Sequence, residues 1–228
     1  MDQPPARLTI TPAPTAISYL LLAAIMLGTL AYWLPWIDQR TAALKLSGQD
    51  LGEFVQFVPA LQGGALGALH QVLYLPPLVA LSCLVLLSAN RYLPYTRLLR
   101  VGMLVLALLL LSGVLPPVWG HPRDLFTPQY RIQGVAAVAG VAFAMAHGWL
   151  RQIRLVSLAR MIAALGTIAV LPVQCVFWAA WPAIRAVYGS PTIHLGWGLG
   201  LHIALWSAAV AVAIALMRWS HVHESQVR

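Results

Sequence analysis

Long runs of apolar residues, separated by short polar connections, dominate this chain. Six runs contain no Asp, Glu, Lys or Arg, and they occupy Ala16–Ile37, Leu69–Ala89, Val101–Gly120, Ile132–Leu150, Met161–Ala183 and Ile193–Met217. An α-helix rises about 1.5 Å per residue, so about 20 apolar residues cross a hydrocarbon core of about 30 Å. We therefore predict an all-α fold, a polytopic integral membrane bundle of about six transmembrane helices over residues 16–217.

The basic residues are distributed unequally between the two sides of this predicted bundle. Nine lie in the N-terminal segment, two inner connections and the C-terminal tail, namely Arg7, Arg91, Arg97, Arg100, Arg151, Arg154, Arg160, Arg218 and Arg228. The other side holds five basic residues and four of the six acids. By the positive-inside rule, both termini lie in the cytoplasm and the chain in the cell (plasma or inner) membrane. Residues 1–15 are predicted to be disordered or to lie on the membrane surface, and residues 218–228 to form a cytoplasmic tail.

The composition agrees with a membrane protein and excludes an ordinary soluble domain. Hydrophobic residues make up 60% of the chain, charged residues 9%, and the mean hydropathy is +0.78, whereas a soluble domain is about a quarter charged. The formal net charge of +8 does not indicate a nucleic-acid partner, because the basic residues lie between the apolar runs. The expected environment is the lipid bilayer.

The outer connection over residues 38–68 is long enough to contain an element of its own. Asp50 and Glu53 have the spacing of a capping box, and Phe54 lies among apolar residues that share one helical face. We predict a short amphipathic helix on the outer membrane surface, marked by Asp50, Glu53 and Phe54. Two roles stay open: a structural lid on the bundle, or a gate for a ligand or partner.

Three histidines near the outer ends of the predicted spans are candidate cofactor ligands: His70, His194 and His202. Two facing imidazoles can hold a haem iron, so one hypothesis is a haem or metal site on the outer side. The other interpretation is interfacial histidines that hydrogen-bond to backbone or water. No cofactor is expected under the second interpretation.

Small residues recur every four positions on two predicted spans and form stripes that permit close helix packing. They are Ala136, Gly140, Ala144 and Gly148 on the fourth span, and Gly196, Gly200, Ala204 and Ala208 on the sixth. The two stripes are expected to pack on each other or to serve a homo-oligomer or partner subunit. His202 lies on the opposite face of the sixth span, which predicts that this span is near the bundle centre.

The motifs that are missing favour a non-enzymatic protein. No carboxylate lies within a predicted span, so the machinery of an ion-driven pump is missing, and no nucleophile motif or phosphate-binding loop occurs. Six spans with both ends inside are similar in outline to the permease subunits of some ATP-driven exporters, which implies a separate ATPase partner. The leading hypothesis is a permease-like subunit or a structural component of a membrane complex. The alternative is a haem- or metal-binding redox subunit.

Overall fold

A computed structural model of the chain describes residues 13–39, 44–55, 58, 70–115, 130–188 and 193–225. In these residues the α-helices are α1 (Thr15–Leu30), α2 (Gly48–Val55), α3 (Leu75–Ala89), α4 (Arg97–Ser112), α5 (Arg131–Met145), α6 (His147–Leu150), α7 (Leu155–Tyr188) and α8 (Trp197–Ser225). The strands are β1 (Pro35–Gln39), β2 (Leu44–Ser47) and β3 (Ile193–Leu195). Short 3-10 helices over Ala31–Trp33 and His70–Tyr74 follow α1 and precede α3.

Four described helices are long and apolar enough to cross a membrane. They cover Thr15–Trp33, His70–Ala89, Leu155–Val187 and Trp197–Val222, and α1, α3, α7 and α8 pack on one another as a bundle. Of the apolar stretch in the second, 78% is buried, against 33% in the fourth. The central helix is therefore α3, and the prediction that the last span lies at the bundle centre is wrong.

The prediction of a helical bundle suited to a membrane is confirmed, but the count of about six spans is not. The third and fourth predicted spans coincide with α4 and α5, which are 16 and 15 residues long and pack on α3. A 16-residue helix is about 24 Å long, which is short of a hydrocarbon core. Residues 116–129 between them lie outside the described residues. The last helix runs on to Ser225, through most of the predicted tail.

One end of the bundle, which we call the arginine end, holds Arg91, Arg97, Arg100, Arg151 and Arg154. Here α3 ends and α4 and α7 begin. The Arg100 guanidinium donates to the carbonyl oxygens of Ser88, Asn90 and Leu93, each at 2.7 Å, and to that of Tyr95 at 3.2 Å. The last carbonyls of a helix have no partner within the helix, so Arg100 satisfies the end of α3 and positions the turn after it.

Two further side chains join the arginine end to the rest of the bundle. Asn90 donates to the carbonyl oxygen of Ile153 at 2.9 Å and accepts from the Tyr92 N–H at 3.0 Å. The Tyr95 hydroxyl donates to the carbonyl oxygen of Ser18 on α1 at 2.5 Å. The connections that precede α4 and α7 are thereby tied to each other and to α1.

The opposite end, which we call the sheet end, carries α2 and a three-stranded antiparallel sheet in the order β2-β1-β3. Ile37 of β1 pairs with Leu46 of β2 and with Leu195 of β3. A Cβ on Gly196 would lie 2.2 Å from the carbonyl oxygen of Pro35, so only glycine permits this approach of backbones. The sequence predicted no strands, because β3 has only three residues and its partner lies far away along the chain.

The sheet end has a hydrophobic cluster of its own. With 34 residues, α7 is about 51 Å long, more than a hydrocarbon core requires. Its last turns contribute Phe177 and Ile184, which are buried with Trp36, Ile37 and Leu51. The extra length of α7 therefore supplies the wall against which the sheet and α2 pack.

Candidate functional site

Helix α2 begins at a capping box formed by Ser47 and Asp50. The Asp50 carboxylate accepts from the backbone N–H and the hydroxyl of Ser47 at 2.9 and 2.7 Å, and the Asp50 N–H donates to Ser47 Oγ at 3.2 Å. The box thus lies three residues before the Asp50–Glu53 pair that the sequence suggested. Because Asp50 closes the box from its C-terminal side, Glu53 is not its partner in capping.

The apolar face of α2 is turned toward the protein. Leu51 and Val55 are buried and Phe54 is half-buried, while Trp33 Nε1 donates to the Gln49 side chain at 2.6 Å. The apolar face of α2 therefore packs on the bundle, as both roles left open for this segment require: a structural lid, or a gate for a ligand or partner.

Two glycines one turn apart allow α2 to lie directly on two phenol rings. A Cβ on Gly48 would be 2.6 Å from Tyr32 Cδ2, and a Cβ on Gly52 would be 2.7 Å from Tyr74 Cζ. Carbon atoms in contact are normally about 3.5–4.0 Å apart. Since residues i and i+4 are about 5–6 Å apart on one helical face, Tyr32 and Tyr74 lie side by side beneath α2.

A hydrogen-bonded chain of three side chains lies under this glycine face. The Tyr74 hydroxyl donates to Glu53 Oε1 of α2, and the Gln133 side chain of α5 hydrogen-bonds to Tyr74. The phenol can accept from the Gln133 amide while it donates to the carboxylate. Three elements are joined in this way: α2, the 3-10 helix that precedes α3, and α5.

Two polar atoms beside this chain have no hydrogen-bond partner among the described residues. They are the hydroxyl of Tyr32 and Oε1 of Gln133, in side chains that are 0% and 4% exposed. Both polar atoms of the Gln174 amide on α7 also have no hydrogen-bond partner among the described residues. A buried polar group without a partner costs about 1–3 kcal/mol, so these atoms are the candidates in this region for a hydrogen bond to a solute or to water.

His202 lies at a junction of three helices and is 0% exposed. Its Nδ1 is 3.1 Å from the carbonyl oxygen of Gly28 on α1, and its Nε2 is 3.2 Å from that of Ala169 on α7. Trp36 flanks the ring at a centroid distance of 5.1 Å. A neutral imidazole donates only one hydrogen bond, whereas an imidazolium donates two. As an imidazolium His202 donates to both carbonyls, whereas the neutral ring donates to one of them and only packs against the other.

One residue on each partner helix, Gly28 on α1 and Pro172 on α7, helps to explain how His202 reaches both backbones. A Cβ on Gly28 would lie 3.0 Å from the Trp206 ring, so glycine is needed where α1 meets α8. Pro172 lies within α7 and has no N–H for the carbonyl of Ile168, in the same turn as Ala169. Neighbouring side chains often satisfy carbonyls near a membrane proline, and His202 contacts this turn.

No protein-family model, no curated protein and no solved structure matches this chain. The candidate site therefore stands on its own contacts.

The three predicted cofactor histidines have different surroundings. His70 is half-buried at the start of a 3-10 helix, His194 is exposed on β3 opposite Asp38, and His202 is enclosed. Among the described residues, no group of three or more His, Cys, Asp or Glu side chains is arranged to hold a metal ion. A metal on His202 would have to displace one of its carbonyl contacts. The haem or metal hypothesis stays a prediction that no described contact favours.

The two small-residue stripes have different neighbours. Gly140 is buried, and a Cβ there would lie 2.8 Å from the Leu111 side chain of α4. On α8, Gly200, Ala204 and Ala208 are exposed, and nothing lies within 4 Å of a Cβ on Gly200. Gly148 is likewise open. Gly140 thus packs on α4, and the stripe on α8 faces away from the described part of the protein.

Glu53 was named from the sequence, but its partner Tyr74 and the neighbouring Tyr32 and Gln133 were not. Gly48 and Gly52 have the same four-residue spacing as the small-residue stripes on the long helices, and that spacing is the signal that could have located the glycine face of α2. For Gln133 and Gln174 the signal is a glutamine within an apolar run that contains no charged residue.

Proposed function

We propose that this protein is a non-enzymatic integral membrane protein, a permease-like subunit that holds a small polar solute beneath α2. The main support is that two buried polar atoms, the Tyr32 hydroxyl and Gln133 Oε1, have no described partner. Both lie beside the Glu53–Tyr74 hydrogen bond. A solute with polar groups of its own satisfies such atoms at little cost, because they are already desolvated.

The proposal includes an orientation and a location. Under the positive-inside rule the arginine end faces the cytoplasm and the sheet end faces the outside of the cell membrane. Both termini are then cytoplasmic, and α4 and α5 belong to the third and fourth of about six crossings. The solute site lies on the outer side, where α2 covers it.

A partner is part of the same proposal. The described spans hold no carboxylate, so these helices offer no membrane-embedded carboxylate to couple transport to an ion gradient. The energy for transport then comes from a second subunit such as an ATPase. The exposed stripe on α8 is the surface on which a partner helix or a second copy would pack.

Thermal unfolding of the full-length protein in mild detergent tests the solute site. The probes are three classes of small solute at equal concentration: glycerol as the neutral probe, inorganic phosphate as the anion, and methylammonium chloride as the cation. A ligand that binds only the folded state raises Tm, and at equal concentration a tighter ligand raises it more. We expect one class to raise Tm in the wild type and to fail in Gly52→Leu, whose side chain displaces Tyr74.

The control variant is Gly102→Leu on α4, which places the same side chain in open space away from the α8 stripe and should keep the response. If no class changes Tm in the wild type, the proposed solute site is wrong.

A further inference from the structure

We infer that the solute held beneath α2 is a small cation that carries N–H donors, an ammonium ion or a protonated primary amine. This inference rests on the proposed function and names the chemical class of its ligand.

Several of the unpartnered atoms in the cluster can accept a hydrogen bond from a guest. Gln133 Oε1 and Gln174 Oε1 are acceptors without a described partner, and the Tyr32 hydroxyl can accept as well as donate. The Tyr74 hydroxyl already donates to Glu53, so it does not donate to a guest. A guest with N–H donors therefore satisfies these acceptors, and an ammonium group brings three or more.

The charge of the cluster favours a cation over a neutral donor. Glu53 supplies a carboxylate, and its charge acts on both Tyr32 and Tyr74. The nearest described basic residue along α5, Arg131, is exposed and two positions from Gln133, which places it on a different face of that helix. Lys45 on β2 is also exposed. Hydrogen bonds that involve a charged group are about twice as strong as neutral ones.

Aromatic rings complete the surroundings. Tyr32 is in edge-to-face contact with Trp33 and Trp36, at centroid distances of 5.2 and 5.9 Å. Ring faces attract cations, whereas they give no comparable attraction to anions. The aromatic rings that adjoin Tyr32 are therefore compatible with the same class of guest as Glu53 and the unpartnered acceptors.

The test compares four chloride salts at equal concentration on the full-length protein in detergent: ammonium, methylammonium, tetramethylammonium and sodium. Unfolding temperature and tryptophan emission are measured together, because Trp33 and Trp36 adjoin the site. We expect saturable effects with ammonium and methylammonium, and at least about tenfold weaker binding of tetramethylammonium, which has no N–H donor. Equal effects of all four salts, or a stronger effect of sodium, would overturn the inference.

Two variants connect the effect to these residues. Glu53→Gln keeps the shape and should weaken methylammonium binding at least about tenfold, whereas Asp38→Asn on β1 removes a carboxylate from the same end and should leave it unchanged. If glycerol or phosphate binds while the amines do not, this inference is wrong and the proposed function stands. If no probe of any class binds, both are wrong.

Discussion

The two ends of the bundle satisfy their buried polar groups in different ways. At the arginine end, Arg100 and Asn90 bond to backbone carbonyls of the turns around them, and Tyr95 bonds to α1. At the sheet end, the Tyr32 hydroxyl, Gln133 Oε1 and the Gln174 amide have no described partner. At the arginine end, Nε2 of His147 also has no described hydrogen-bond partner.

Under the proposed function, this difference separates a structural role from a binding role. Side chains that bond to main-chain carbonyls fix the ends of helices and leave little hydrogen-bonding capacity for another molecule. Polar atoms that are buried without partners lower the stability of the fold, and a bound solute would offset that cost.

The largest effect is expected from Arg100→Met, which keeps the aliphatic stem but removes four hydrogen bonds. The carbonyls at the end of α3 would lose a charged donor, so the free energy of unfolding should fall by about 2–4 kcal/mol. Unfolding of the purified protein in detergent with increasing SDS measures it. Arg91→Met is the control, because Arg91 is exposed and contacts only the neighbouring Tyr92 ring and hydroxyl in the described residues. Equal losses in the two variants would contradict the role given to Arg100.

The next effect concerns the fit of α2 on the two phenols. Gly52→Ala places a methyl group 2.7 Å from the Tyr74 ring, and overpacking of this kind costs about 1–3 kcal/mol. Gly200→Ala is the control, since its methyl group meets open space and alanine favours a helix over glycine by about 1 kcal/mol. The two variants should therefore shift Tm in opposite directions. A stabilised Gly52→Ala would show that α2 does not lie against Tyr74.

Helical pattern was sufficient to predict the helical bundle and the α2 segment, but it gave Glu53 a capping role that Asp50 and Ser47 fulfil without it. It was not sufficient for the contacts that make the sheet end. The pairing of Ile37 with Leu195 and the contact of Gly28 with Trp206 join segments far apart along the chain, and no local periodicity records such partners. The capping box was misplaced because Asp50 fits both Ser47 and Glu53 by spacing alone. Only the position of Tyr74 shows that Glu53 has a different partner.

A smaller effect is expected from His202→Leu, which fills a similar volume and removes both contacts to Gly28 and Ala169. Both carbonyls belong to helices and keep helical partners in part, so the loss should be about 1–2 kcal/mol, close to that of one or two hydrogen bonds. The same SDS titration measures it. His194→Leu is the control because His194 is exposed on β3. An unchanged stability in His202→Leu would remove His202 from the set of side chains that join the helices.

The smallest effect is expected from Tyr32→Phe, and it is the most direct test of the difference between the two ends. The hydroxyl is buried and has no described partner, so in buffer without amines its removal should change stability by less than about 0.5 kcal/mol or increase it. Tyr74→Phe also removes a phenol hydroxyl, from the ring that lies against Gly52 one turn further along α2. This variant leaves Glu53 without its hydrogen-bond donor, so it should cost about 1–3 kcal/mol. The two losses are compared by SDS unfolding at the same pH. If Tyr32→Phe costs as much as Tyr74→Phe, the Tyr32 hydroxyl already has a partner within the protein. The sheet end would then be as fully satisfied as the arginine end, and the reason for placing a solute there would be lost.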